Sequence, residues 1–166
     1  MSAKSEKTPV ADEAAERLDA LTLLQADHKQ VRKLFKEFTQ LSGGNSHAAK
    51  ADVAQRLCET WILHAALEQE ILYPAAREAM ADDEALINEL EVHYTGMCEL
   101  IARIQQMDGS EPLYDATVAV LQQYVESHID EEEKQLFPKA RKAKMHLHKL
   151  GQIMAQRREE RTVELA

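Results

Sequence analysis

The stretch His64-Ala65-Ala66-Leu67-Glu68-Gln69-Glu70-Ile71-Leu72-Tyr73-Pro74 decides the fold, together with its counterpart His128-Ile129-Asp130-Glu131-Glu132-Glu133-Lys134-Gln135-Leu136-Phe137-Pro138. Each opens on a histidine, places a glutamate four residues on, and closes on leucine, an aromatic ring and proline. On a helix, a spacing of four puts both side chains on one face, one turn apart. The same near-64-residue shift relates two earlier histidines, His28 and His93. The chain therefore reads as two similar helical hairpins, each with a His on its first helix and a His-x-x-x-Glu on its second. Two hairpins are too few for a solenoid, but docked face to face they make a bundle with pseudo-two-fold symmetry.

Hydrophobic periodicity agrees with this reading. Leu21, Leu24, His28, Val31, Phe35 and Phe38 form the first stripe, and Val53, Leu57, Trp61, His64, Glu68 and Ile71 the second. The third is Leu86, Leu90, His93, Met97, Leu100 and Ile104; the fourth is Thr117, Leu121, Tyr124, His128, Glu132 and Gln135. Leu41–Ser46, with Gly43 and Gly44, ends the first helix, and Asp108-Gly109-Ser110 ends the third. Pro74 is expected to disturb the second helix near its end. Ala81-Asp82-Asp83-Glu84 is suited to cap the third. Short links between helices of this length give an all-α, up-down-up-down four-helix bundle. We expect residues 1–12 to be a disordered tail and 13–144 the bundle, with 145–166 a C-terminal helical extension docked by Met145, Leu147, Leu150, Ile153 and Met154. Its Arg157–Glu164 end reads as an exposed helix stabilised by local charge pairs.

Composition fits one helical domain. The chain has 166 residues, 45% of them apolar, with five glycines, four prolines and 5% aromatics. A net charge of -9 argues against nucleic acid and against anionic membrane surfaces as partners. Met1–Thr8 is polar and does not read as a secretory signal, and no stretch is long and apolar enough to span a bilayer. Cys58 and Cys98, both within helical patterns, point to reduced thiols in a cytoplasm rather than to a disulfide framework.

Four histidines and two glutamates thus fall on inward stripes, near the middle of four helices. Any one of them alone reads as a hydrogen-bonded core residue. Six in one layer call for a common partner, because a buried carboxylate is costly unless paired or bound to a cation. Imidazole with carboxylate suits iron, zinc or manganese. His47, in the expected loop, and His146 and His148, beyond the bundle, read as solvated, with a weak surface metal site open at the last two. Trp61 and Tyr124, one turn before His64 and His128, are expected to pack against the site.

These residues resemble the hemerythrin-like (HHE cation-binding) family over about Leu18 to Lys144. The family pattern is met by His28, by His64 with Glu68, by His93, and by His128 with Glu132. The Leu-Tyr-Pro and Leu-Phe-Pro ends are also typical of it. The resemblance implies two non-haem iron ions joined by an oxo or hydroxo bridge and two bridging carboxylates, Glu68 and Glu132. Glu133 competes for the last role, because oxygen carriers of the family place that carboxylate five residues after the histidine; the internal repeat favours Glu132. Those carriers also have a second histidine four residues before the one on the third helix, where this chain has Glu89. Glu89 is thus a candidate seventh ligand, and a harder donor favours ferric iron over reversible oxygen carriage. No histidine here has a glutamate three residues before it, unlike ferritin-like sites.

The leading expectation is a cytoplasmic diiron protein that binds or senses oxygen, nitric oxide or iron. The alternatives are a diiron enzyme acting on hydrogen peroxide or nitric oxide, and an iron-responsive interaction module. The small ligand at the site is expected to be a diatomic or a peroxide.

Overall fold

Asp19 starts the first helix. Its carboxylate accepts from the backbone N–H groups of Leu21 and Thr22 at 2.9 and 3.1 Å, satisfying two of the free donors of a helix N-terminus. In the computed structural model, residues 19–165 are described; the expected tail over 1–12 lies outside them. Helix α1 is Ala20–Leu41 and α2 is His47–Leu67. After a five-residue π turn, Glu68–Leu72, α3 continues as Tyr73–Ala79. A 3-10 turn, Ala81–Asp83, leads into α4, Glu84–Gln106. Helix α5 is Tyr114–Glu131, and a second π turn, Glu132–Leu136, leads into α6, Phe137–Lys142. Helix α7 is Leu147–Leu165. The architecture is all-α, a four-helix bundle in which α1 packs on α2, α2 on α4 and α4 on α5, with α7 laid against α1 and α2.

His47 is not in a loop but opens α2. The α1–α2 link is held from across the bundle by Asp115, which accepts from the Ser42 hydroxyl (2.7 Å), the Gly43 N–H (3.1 Å) and the Lys50 ammonium (2.6 Å). Gly43 has φ +76°, a left-handed conformation that favours glycine. Gly109 brings the α4–α5 link onto the start of α2, where a Cβ would come within 2.7 Å of the His47 carbonyl.

The two prolines do not end their helices. In each π turn an N–H bonds to the carbonyl five residues back, Tyr73 to Glu68 and Phe137 to Glu132. A proline in a regular helix collides with the carbonyl four residues earlier; the widened turn lets Pro74 and Pro138 follow and the helix resume. The extra residue also moves the inward face on by one. Ile71 is half-buried and Gln135 exposed, while Leu72, Tyr73, Leu136 and Phe137 are buried. This corrects the ends of the second and fourth stripes.

The apolar core is divided in two. One part holds Val31–Phe38 of α1, Val53–Trp61 of α2, Met97–Ile104 of α4 and Tyr114–Ile129 of α5. The other holds Ala20–Leu24, Leu67–Met80, Leu86–Leu90 and Leu136–Ala140, with Leu147 and Met154 from α7. On α1, α2 and α5 the repeated spacing of the hairpins places a buried histidine at the boundary, so a polar layer crosses the middle of the bundle.

Candidate metal centre

The polar layer is buried. His28, His64, Glu68, His128 and Glu132 are each no more than 1% exposed. Ionised groups buried this deeply cost several kcal/mol each unless something compensates, about the stabilisation that one or two buried leucines would give in their place. A layer of five is therefore not explained by packing.

Donor atoms of His28, His64, Glu68 and Glu132 all lie within 4.8 Å of one another. The repeat explains how. The glutamates begin the two π turns, one turn after His64 and His128, and so face the bundle axis beside them. His64 Nε2 stands 3.1 Å from Glu68 Oε1, and His28 Nε2 stands 3.3 Å from Glu132 Oε2. None of these four atoms makes a hydrogen bond, although all four are fully shielded from solvent. The other carboxylate oxygens face His128: its Nε2 is 3.3 Å from Glu132 Oε1 and 3.7 Å from Glu68 Oε2. Each carboxylate thus spans the layer, with one oxygen towards the His28–His64 pair and one towards His128. Unsatisfied imidazole nitrogens converging with carboxylate oxygens fit a metal ion as their missing partner.

The rings are fixed from behind. His28 Nδ1 donates to Glu133 Oε1 at 2.8 Å, and His64 Nδ1 donates to Asp27 Oδ2 at 3.2 Å. A carboxylate on Nδ1 keeps the proton there and turns the Nε2 lone pair inward, the arrangement of a metal-binding histidine with an orienting partner. Of the two neighbouring carboxylates weighed from sequence, Glu132 points into the layer and Glu133 points outward to His28. Trp61 covers the rings of His64 and His128, with centroids at 4.7 and 5.7 Å, and Phe137 stacks on His28 at 5.8 Å.

Tyr73 completes the layer. Its hydroxyl donates to Glu132 Oε1 at 2.9 Å and lies 3.4 Å from Glu68 Oε2 and from His128 Nε2. Burial first, and then the charges of Glu132 and Glu68, raise its pKa well above the usual value, so it stays a donor. Burial disfavours the charged forms of His64 and His128, but the adjacent carboxylates outweigh it and push both up to about 10. Glu132 is the reverse case: burial raises it, and the histidines around it hold it well below the usual carboxylate range. Without a cation, protons on His64 and His128 supply the countercharge.

The remaining expected residues are placed differently. His93 is half-exposed, its side chain 41% accessible, with Nδ1 3.5 Å from Glu131 Oε2 and its ring centroid 6.1 Å from that of His128. It borders a cleft of about 350 Å³ between α4 and α5, lined by Val92, Gly96, Tyr124 and Ser127. Glu89 is exposed on α4 and outside the converging group. Tyr124 is 49% exposed and faces the cleft rather than the layer; Val125 is the buried residue of that turn. His47, His146 and His148 are exposed.

Sequence reasoning missed Asp27 as a partner of His64, and Tyr73 as more than part of the Leu-Tyr-Pro ending. The local pairs expected of the α7 arginines are present, with Arg157 beside Glu160 and Glu164 at 3.3 and 3.6 Å. The long-range partners were missed: Arg158 reaches Asp27, and Arg157 and Arg161 reach Glu70 on the first π turn.

Comparison with known proteins follows the same lines. The family model described as hemerythrin HHE cation binding domain matches residues 19–140. The chain is similar in fold to the crystal structure of a hemerythrin HHE cation binding domain-containing protein from Mycobacterium kansasii. The TM-score is 0.72, with 22% identity over 86% of each chain. No curated protein matches. With the family model spanning every bundle helix and the four converging side chains within it, the chain belongs to the hemerythrin HHE cation-binding domain family.

Proposed function

We propose that this is a non-haem diiron protein whose His/Glu site binds or senses oxygen, nitric oxide or iron. The observation that carries the reading is the way Glu68 and Glu132 span the layer between two sets of imidazoles. His28 and His64, with one oxygen of each carboxylate, would hold one ion. His128, with the other two oxygens, would hold the second, and His93 is assigned to that side through its approach to His128. Glu89, exposed on α4, stands outside this assignment. Bound iron would supply a redox-active centre with room for a small ligand. The protein's own groups shape what reaches it. Trp61 and Phe137 exclude water, and Tyr73 presents an O–H at the carboxylates. The cleft beside His93 would serve as the approach for a diatomic or a peroxide.

A cytoplasmic location belongs to this reading. It is supported by two free cysteines, Cys58 buried and Cys98 half-buried, which suit a reducing compartment. No helix among the described residues is long and apolar enough to cross a membrane.

Turnover of hydrogen peroxide is the second reading, and Tyr73 favours it, since a hydroxyl against both carboxylates is placed to donate a hydrogen bond to a small ligand. One experiment separates the two. Iron-loaded protein is mixed with oxygen, nitric oxide and peroxide while the optical spectrum and peroxide consumption are followed. A spectrum that responds to the gases without peroxide loss supports the binder; consumption that scales with iron content and falls in Tyr73→Phe supports the enzyme. No response to any of the three would overturn both.

A further inference from the structure

Helix α7 touches the metal layer at one point. Arg158 lays its guanidinium on Asp27, Nη1 donating to Oδ1 at 2.8 Å and Nη2 to Oδ2 at 2.6 Å. The Asp27 side chain is 10% exposed, and its Oδ2 also accepts from His64 Nδ1 at 3.2 Å. His64 in turn faces Glu68 with its other nitrogen. A chain of contacts therefore runs from the C-terminal helix through one carboxylate to an inward-facing imidazole. The first member of that chain lies beyond the family match, which ends at residue 140, while Asp27, His64 and Glu68 lie within it.

We propose that Arg158 is a positioning residue for the metal centre, so that α7 is part of the site rather than an appendage to it. The proposal rests on the assignment of His64 as a ligand. Two parallel bonds fix the plane of the Asp27 carboxylate as well as its position, which a single contact does not. With that plane fixed, Oδ2 holds the His64 ring at the angle that turns Nε2 into the layer. Without Arg158 the carboxylate is left buried with one partner. It can then swing towards solvent past the gap the guanidinium leaves, and His64 loses its brace. Lysine cannot reproduce the fork. The neighbouring arginines, 157 and 161, anchor the same helix to Glu70 and do not touch Asp27. They separate docking of α7 in general from the specific contact.

The test compares wild type with Arg158→Gln, Arg158→Lys and Arg157→Gln. The first readout is the affinity for ferrous iron, measured anaerobically against a competing chelator. The second is the His64 Nδ1–H signal in the metal-free protein, with isotope-labelled imidazole nitrogens. Loss of an orienting partner lowers metal affinity by about 10- to 100-fold, and this is expected of Arg158→Gln. Arg158→Lys should recover part of it, and Arg157→Gln, which loses half-exposed pairs with Glu70, Glu160 and Glu164, should stay within about threefold of wild type. The His64 signal should broaden or vanish in Arg158→Gln and persist in Arg157→Gln. Unchanged affinity together with an unchanged His64 signal in folded Arg158→Gln would overturn the proposal, as would an equal loss in Arg157→Gln. If Arg158→Gln does not fold, the His64 signal of Arg158→Lys decides: undisturbed, it refutes the role. Should the wild type take up no iron, the ligand assignment fails, and the metal-free signal still judges the brace.

Discussion

Replacing Tyr73 with Phe removes one hydroxyl and leaves the ring in place. Tyr73 is 1% exposed, so the change opens no route for water and no cavity larger than an oxygen atom. What is lost is a hydrogen bond of 2.9 Å to the buried carboxylate of Glu132 and a longer contact of 3.4 Å to Glu68. A hydrogen bond to a charged group contributes about 1.5–3 kcal/mol. In a chain of this size each kcal/mol moves the unfolding midpoint by about 2–4 °C, so the metal-free variant should melt roughly 3–12 °C below wild type. The loss should shrink in the loaded protein, because carboxylates held by a cation depend less on the hydroxyl. The assay is thermal unfolding by far-ultraviolet circular dichroism, on protein stripped with a chelator and on protein reloaded with iron. An unchanged midpoint in the stripped form would refute the claim that Tyr73 satisfies the layer. A larger loss in the loaded form would mean that the hydroxyl acts on the metal rather than on the empty cluster.

Other outcomes follow from single contacts. Glu133→Gln removes the charged partner of His28 Nδ1 and should lower ferrous-iron affinity about tenfold, whereas Glu89→Gln, on the exposed face of α4, should leave it unchanged; chelator competition measures both. Asp115→Asn strips the charge opposite Lys50, which is 4% exposed, and should cost about 1–3 kcal/mol at neutral pH by chemical denaturation. The sign with pH is fixed by the carboxyl. Burial raises it, but Lys50, Ser42 and the Gly43 N–H outweigh that and hold the folded value below 3.8. Its contribution is therefore present above 3.8 and lost as pH falls through the folded value, so variant and wild type should converge in acid.

Much of the site was legible because it was repeated. His28, His64, Glu68 and Glu132 fall on stripes of period near 3.6, and the duplicated His-x-x-x-Glu identified the layer before any packing was known. The stripe failed at Ile71 and Gln135, one turn past each glutamate, because a π turn adds a residue that no regular period contains. Tyr124 failed for a different reason: Val125 beside it is equally apolar, and a helix cannot bury both on one narrow face. Asp27 sits one position before His28, about a quarter-turn away on the helix, and so reaches His64 instead of sharing the stripe. Arg158 is 131 positions from Asp27, and no local pattern announces so distant a contact. Internal symmetry and periodicity thus reveal groups that face the axis, while the partners that orient them come from neighbouring faces and from α7.

The most direct test of the account is the metal content per chain after anaerobic reconstitution with ferrous salt and removal of loosely held iron. The account predicts two irons per folded chain, falling in Glu68→Ala and in Glu132→Ala because each carboxylate serves both ions. No stoichiometric iron, or a single ion unaffected by either substitution, would contradict it.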